Sequence, residues 1–247
     1  MTCELISGEN RRIAPRAGMI ALVGDFDAIL FDAGGVLVLP DPTVLGPLLA
    51  YFGGDPSIDL HVRAHYHAMA VKSSAGAGEM FWAEHHAAYV RFVGVDERDA
   101  DTAARALGAS FNAFLWRWPI AQSVTALRQL DQAGMPIGIV SNAHGQIEET
   151  LHRSGVCQVG DGPHTSVRCV IDSHVVGVAK PDPRIFDFAF AYFGNVRRER
   201  VAYVGDSVTM DVQGARAAGL HPILLDPYAD HVGVGFDRIR SLGELVG

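Results

Sequence analysis

Between Asp27 and Leu225 the chain alternates short apolar runs with amphipathic or turn-rich stretches. The runs are AILF at 28–31, IGIV at 137–140, VAYV at 201–204 and PILL at 222–225. Each has the length of a strand buried on both faces, and such strands joined by helical stretches predict a parallel sheet with helices on either side. The alternation stops between about Thr43 and Gln122, where no strand is predicted. There Ile58, Val62, Tyr66 and Met69 recur at helical spacing, as do Ala103, Leu107, Phe111 and Phe114. Gly53-Gly54, Gly76, Gly78 and Gly94 punctuate these helices. The pattern predicts an α/β fold: a doubly wound parallel sheet over 20–42 and 123–247, interrupted by an all-helical insertion over 43–122. A polar extension at 1–19 shows no chemistry, and Asp226 to Gly247 predict one edge strand and a terminal helix.

Composition narrows the function classes. Apolar residues make up 49% of 247, enough for a sizeable core, which excludes a disordered chain. Lys and Arg number 20 against 28 Asp and Glu, a net charge of −8, the wrong sign for a nucleic-acid binder. No apolar run approaches the roughly 18 residues of a membrane span. The segment MTCELISGENRRIAPRAG has two acids and no apolar stretch, so no secretory signal is expected. Cys3, Cys157 and Cys169 form no CxxC pair, and a reducing cytoplasm is the expected location.

In open parallel sheets chemistry collects beyond the carboxyl ends of the strands. Asp32 follows the first run, with Gly34-Gly35 directly after; Ser141-Asn142 follow the second. Lys180 precedes a Pro-initiated helix in VGVAKPDPRIF, and Asp206 and Asp211 follow the run VAYV. An aspartate is an anion at neutral pH, so it attacks phosphorus without a base. Attack on a phosphate dianion needs a compensating cation. Asp32, Asp206, Asp211 and the Gly34 carbonyl are hard oxygen ligands suited to Mg²⁺. Lys180 adds a second positive charge, and the Ser141 hydroxyl with free amides near Ala33 and Asn142 can donate to phosphate oxygens.

The ordered set D…S…K…GDxxxxD, carried by Asp32, Ser141, Lys180, Asp206 and Asp211, resembles the haloacid dehalogenase-like hydrolase superfamily. The resemblance runs from Asp27 to about Leu225. It implies a Rossmann-like core, a helical cap that selects substrate, and phosphatase activity on a small phosphorylated metabolite with Mg²⁺ as cofactor. It further implies that Asp32 is the nucleophile, that Ser141 and Lys180 hold the phosphoryl group, and that Asp206 and Asp211 serve the metal. The rival chemistry is dehalogenation, in which the same aspartate displaces halide from carbon; that branch keeps no acidic metal ligand in the last motif. A catalytically weak binding protein of the same fold is a third reading.

One position departs from the family pattern. Its phosphatases usually carry a second aspartate two residues after the nucleophile as general acid, and here that position is Gly34. General acid catalysis is worth about 10²–10⁴-fold, so the leaving group must be good, or its proton must come from elsewhere. His61, His65, His85 and His86 lie in the helical stretch; no third ligand accompanies them, and packing or polar-face roles are expected. Trp82, Tyr89 and Phe92 read as core of the insertion.

Overall fold

The computed structural model describes residues 23–76, 82–231 and 235–246. The predicted extension at 1–19, with Cys3, and Gly78 lie outside them. β1 (Ala28–Phe31) is buried along its length. Successive side chains point to opposite faces of a strand: Ala28 and Leu30 enter one core cluster, Ile29 and Phe31 the other. A short strand β2 (Val38–Pro40) leads into helices α1 (Pro42–Ala50), α2 (Ile58–Ser74), α3 (Ala83–Phe92) and α4 (Glu97–Ser110). The chain returns through β3 (Trp116–Pro119), antiparallel to β2.

The remainder alternates. α5 (Ala121–Gln132), β4 (Ile137–Ser141) and α6 (Ile147–Arg153) precede a minor parallel pair, β5 (Cys157–Val159) with β6 (Thr165–Val167). Then come β7 (Val170–Asp172), α7 (Ser173–Val176), α8 (Ile185–Phe190), β8 (Val201–Gly205), α9 (Gln213–Ala217), β9 (His221–Leu225) and β10 (Asp237–Ile239). The main sheet has six parallel strands in the order β10-β9-β8-β1-β4-β7. Leu127 and Leu130 of α5 and Leu151 of α6 cover one face; Ile185 and Phe186 of α8 and Ala215 of α9 cover the other. The fold is an α/β, Rossmann-like, doubly wound sheet. The helices α1–α4 have an apolar core of their own, around Leu45, Ala64, Tyr89, Val90 and Leu107.

The sequence pattern erred locally. β3 lies where no strand is predicted: WRWP is four residues ending in proline, and only its pairing with β2 makes it extended. On α2 Tyr66 and Met69 are buried, in line with the expected stripe, but so are His61, Ala64, His65, Ala68 and Lys72, while Ile58 is exposed. α4 ends at Ser110, so Phe111 caps it and Phe114 is 77% exposed. In place of a terminal helix there is a 3₁₀ turn, Leu242–Leu245, closed by a Ser241–Glu244 capping box.

Candidate active site

β8, β1 and β4 are neighbours in the sheet, and their carboxyl ends deliver Asp206, Asp32 and Ser141 to one point. The Asp32 N–H donates to the Val204 carbonyl at 2.8 Å, so the sheet ladder fixes the residue's backbone. Asp211 stands in a π-helical turn, Val208–Val212, and its Oδ2 accepts the Ser207 N–H at 2.9 Å. One carboxylate oxygen from each of Asp32, Asp206 and Asp211 lies within 4.8 Å of the others.

Lys180 is set among these acids by Asn142. The Asn142 amide donates to the Lys180 carbonyl at 3.0 Å and accepts the Lys180 N–H at 2.8 Å. The Lys180 ammonium then meets Asp211 Oδ1 at 2.7 Å, the Tyr203 hydroxyl at 2.8 Å and Asp32 Oδ1 at 3.0 Å. Three acceptors match its three protons. Burial works against its charge, but the Asp211 and Asp32 carboxylates more than offset this and raise its pKa, so Lys180 stays an ammonium. Burial pushes the Asp32 carboxyl up to about 7; Lys180 pulls it down, and the charges of Asp211 and Asp206 push it further up. A buried acidic group so crowded favours a cation. The donors are hard oxygens, and the set fits Mg²⁺.

The insertion reaches the same point. Tyr66 of α2 donates its hydroxyl to the Gly35 carbonyl at 2.8 Å, and His65 Nε2 lies 3.3 Å from Asp206 Oδ2. Gly35 has φ +70°, and a Cβ there would fall 1.9 Å from Asp206 Oδ2, so only glycine lets this loop close on the carboxylate. At Gly34 a Cβ would meet the Trp116 ring at 3.0 Å. The indole therefore occupies the space into which a side chain at 34 would project.

Asp32, Gly34, Ser141, Asn142, Lys180, Asp206 and Asp211 line one cavity of about 460 Å³. Ala33 does not line it. Its N–H is not free as expected, but donates to Asp32 Oδ1 at 2.7 Å, because the turn after β1 folds the carboxylate back onto its own amide. Of the four histidines, His65 reaches the acids, whereas His61 is held by the Tyr89 hydroxyl and the Asp55 carbonyl. Trp82 faces the cavity, contrary to the core role expected of it. Tyr203 and Trp116 carry no signal in the sequence: one is the middle of an apolar run, the other part of an unrecognised strand.

Residues 26–219 match the haloacid dehalogenase-like hydrolase family. The chain belongs to this family of hydrolases. It is 34% identical over 124 residues to a phosphoserine phosphatase of Thermus thermophilus, covering 50% of this chain and 47% of that protein. It is likewise 34% identical over 103 residues to the Escherichia coli pyrimidine 5'-nucleotidase YjjG, covering 41% of this chain and 42% of that one. The chain thus spans about half the length of these curated relatives. Among solved structures, the putative HAD-hydrolase YfnB of Bacillus subtilis, described as bound to magnesium, superimposes with a TM-score of 0.57 at 19% identity over 89% of this chain and 96% of that one. At that identity the likeness speaks for the shared fold. No described helix is long and apolar enough to cross a membrane.

Proposed function

We propose that this hydrolase is a Mg²⁺-dependent phosphatase acting on a small phosphorylated metabolite through an aspartyl-phosphate on Asp32. The observation that carries this reading is the buried triad of Asp32, Asp206 and Asp211 with the Lys180 ammonium between two of them. Displacement of halide from carbon needs no such set of acids, which speaks against the dehalogenase reading. Phosphatases among the relatives support the assignment.

Asp32, Asp206 and Asp211, with the Gly34 carbonyl, are the residues that would hold Mg²⁺; when bound, it supplies the charge that offsets repulsion between Asp32 and a phosphate dianion. A carboxylate oxygen of Asp32 attacks phosphorus, and the bond to the leaving oxygen breaks. That oxygen keeps the electron pair and departs as an anion, since Gly34 offers no proton, and water protonates it after release. Lys180 and the Ser141 hydroxyl hold the phosphoryl oxygens, and Asn142 positions Lys180. Water then attacks phosphorus, the bond to Asp32 breaks, and inorganic phosphate leaves. The helices within 43–122 serve as the cap over a core of 20–42 and 123–247, excluding water and selecting the substrate.

The test is turnover of a panel of phosphorylated metabolites with and without Mg²⁺. EDTA and Asp206→Ala each abolish activity, and Asp32→Asn removes turnover while the fold is kept. Beryllium fluoride with Mg²⁺, an acyl-phosphate mimic, binds the wild type and not Asp32→Asn. Full turnover in EDTA, or equal beryllium fluoride binding by both proteins, overturns the reading.

A further inference from the structure

Away from the acids the cavity changes character. Its wall on the insertion side includes three aromatic rings, Trp82 at the start of α3, Phe111 at the end of α4 and Trp116 on β3, with Lys72 and His86 beside Trp82. The three rings stand against one another, with centroids 5.8 Å apart for Trp82–Phe111, 5.9 Å for Phe111–Trp116 and 6.2 Å for Trp82–Trp116. All three are half-buried, and Trp82 and Trp116 lie outside the insertion's own apolar core. Large aromatic surface kept out of a core and turned toward a cavity is surface available to a ligand.

Where this wall begins matters most. The Trp116 ring packs on Gly34, two residues from Asp32, and lies 5.5 Å from the His65 ring beside Asp206. An indole therefore stands beside the nucleophile loop, where a side chain at position 34 would project. The chemistry at Gly34 points the same way. With no acid on the nucleophile loop, the oxygen must leave as a weakly basic anion. A phenol ionises near 10, against about 15.7 for water, so an aryl oxygen departs far more readily than an aliphatic one.

On the phosphatase reading, we propose that the substrate is a monoester of a planar aromatic alcohol, its ring lying along Trp116 within the wall completed by Trp82 and Phe111. Trp116 is then a specificity-determining residue that both receives the ring and excludes a side chain at position 34. The cavity's volume of about 460 Å³ suits a phosphoryl group plus a ligand of one or two rings.

Binding without turnover tests the proposal directly. By calorimetry with Mg²⁺, phenylphosphonate binds the wild type about tenfold more tightly than methylphosphonate, and Trp116→Leu loses most of that preference while Trp116→Phe retains it. In turnover, the ratio of kcat/KM for phenyl phosphate to that for acetyl phosphate, an activated substrate with no ring, falls about tenfold in Trp116→Leu. Phe111→Leu gives the same direction and serves if the first variant does not fold. Equal binding of the two phosphonates, or an unchanged ratio in both variants, overturns the inference. Hydrolysis of acetyl phosphate without any aryl preference removes this proposal alone, whereas no Mg²⁺-dependent hydrolysis of either compound removes the phosphatase reading beneath it.

Discussion

Arg63 and Asp230 lie 167 residues apart and are joined by two hydrogen bonds, of 2.6 and 2.7 Å, between guanidinium and carboxylate. The guanidinium also stacks 4.5 Å from the Tyr228 ring centroid and 5.1 Å from that of Phe92. Arg63 belongs to α2, Asp230 to the loop after β9, so this pair ties the insertion to the edge of the sheet. Asp226 in turn accepts the Asp230 N–H at 2.9 Å and so holds the loop in place.

Forked, half-buried pairs of this kind are among the stronger ones. Arg63→Ala and Asp230→Ala are each expected to lower kcat/KM several-fold, with the double variant no worse than the poorer single. A double-mutant cycle should give a coupling of about 1–2 kcal/mol. Additive losses would show that the two residues do not act as one clasp.

The absent acid predicts a steep leaving-group dependence. For monoesters of graded leaving-group pKa, with chemistry shown to be rate-limiting and Mg²⁺ saturating, log kcat/KM should fall sharply as the pKa rises. A flat line would mean a proton donor elsewhere, and His65 would be the first residue to replace. Installing the usual aspartate at Gly34 meets the indole of Trp116. Even Gly34→Ala should cost about 1–3 kcal/mol in thermal or urea unfolding, and less in a Trp116→Leu background.

Acid sensitivity should trace partly to the insertion. Burial, together with the neighbouring His65, His86 and Lys72, holds His85 well below its ordinary value. His86 is pushed down to about 4 by burial and by Lys72. Unfolded histidines titrate near 6.5, so below that pH the unfolded chain binds more protons than the folded one. The stability from keeping these rings neutral is full above about 6.5 and is lost as the pH falls toward 4. His85→Phe should therefore gain on the wild type in unfolding temperature as the pH drops from 6.5 to 5. A difference that does not change with pH would exclude His85 from the transition.

The sheet was readable because its strands are buried on both faces, and such strands appear as unbroken apolar runs, AILF and VAYV among them. Asp32, Ser141, Lys180, Asp206 and Asp211 were readable because polar residues at strand ends stand out against those runs. What the pattern hid depends on contacts between distant segments. Trp116 reads as one more apolar residue until β3 pairs with β2 and brings the indole over Gly34. Tyr203 reads as strand interior, and only the fold shows its hydroxyl meeting Lys180. On α2 the expected stripe of Ile58, Val62, Tyr66 and Met69 is right in its second half, where Tyr66 and Met69 are buried, but the buried face also carries His61, His65 and Lys72, polar types that a hydrophobic count passes over.

The chain has three tryptophans, and Trp82 and Trp116 line the cavity while Trp118 lies on the same ribbon as Trp116. The Lys72 ammonium stands 3.7 Å from the centre of the Trp82 ring. Two of the three indoles thus line the cavity, and none belongs to the apolar core clusters of the sheet. The ultraviolet emission of the unlabelled protein therefore draws largely on this region, and Trp118→Phe would confine it there. Entry of a ligand, or movement of the helices away from the sheet, can be followed in real time by light alone, with no dye or tag near the acids.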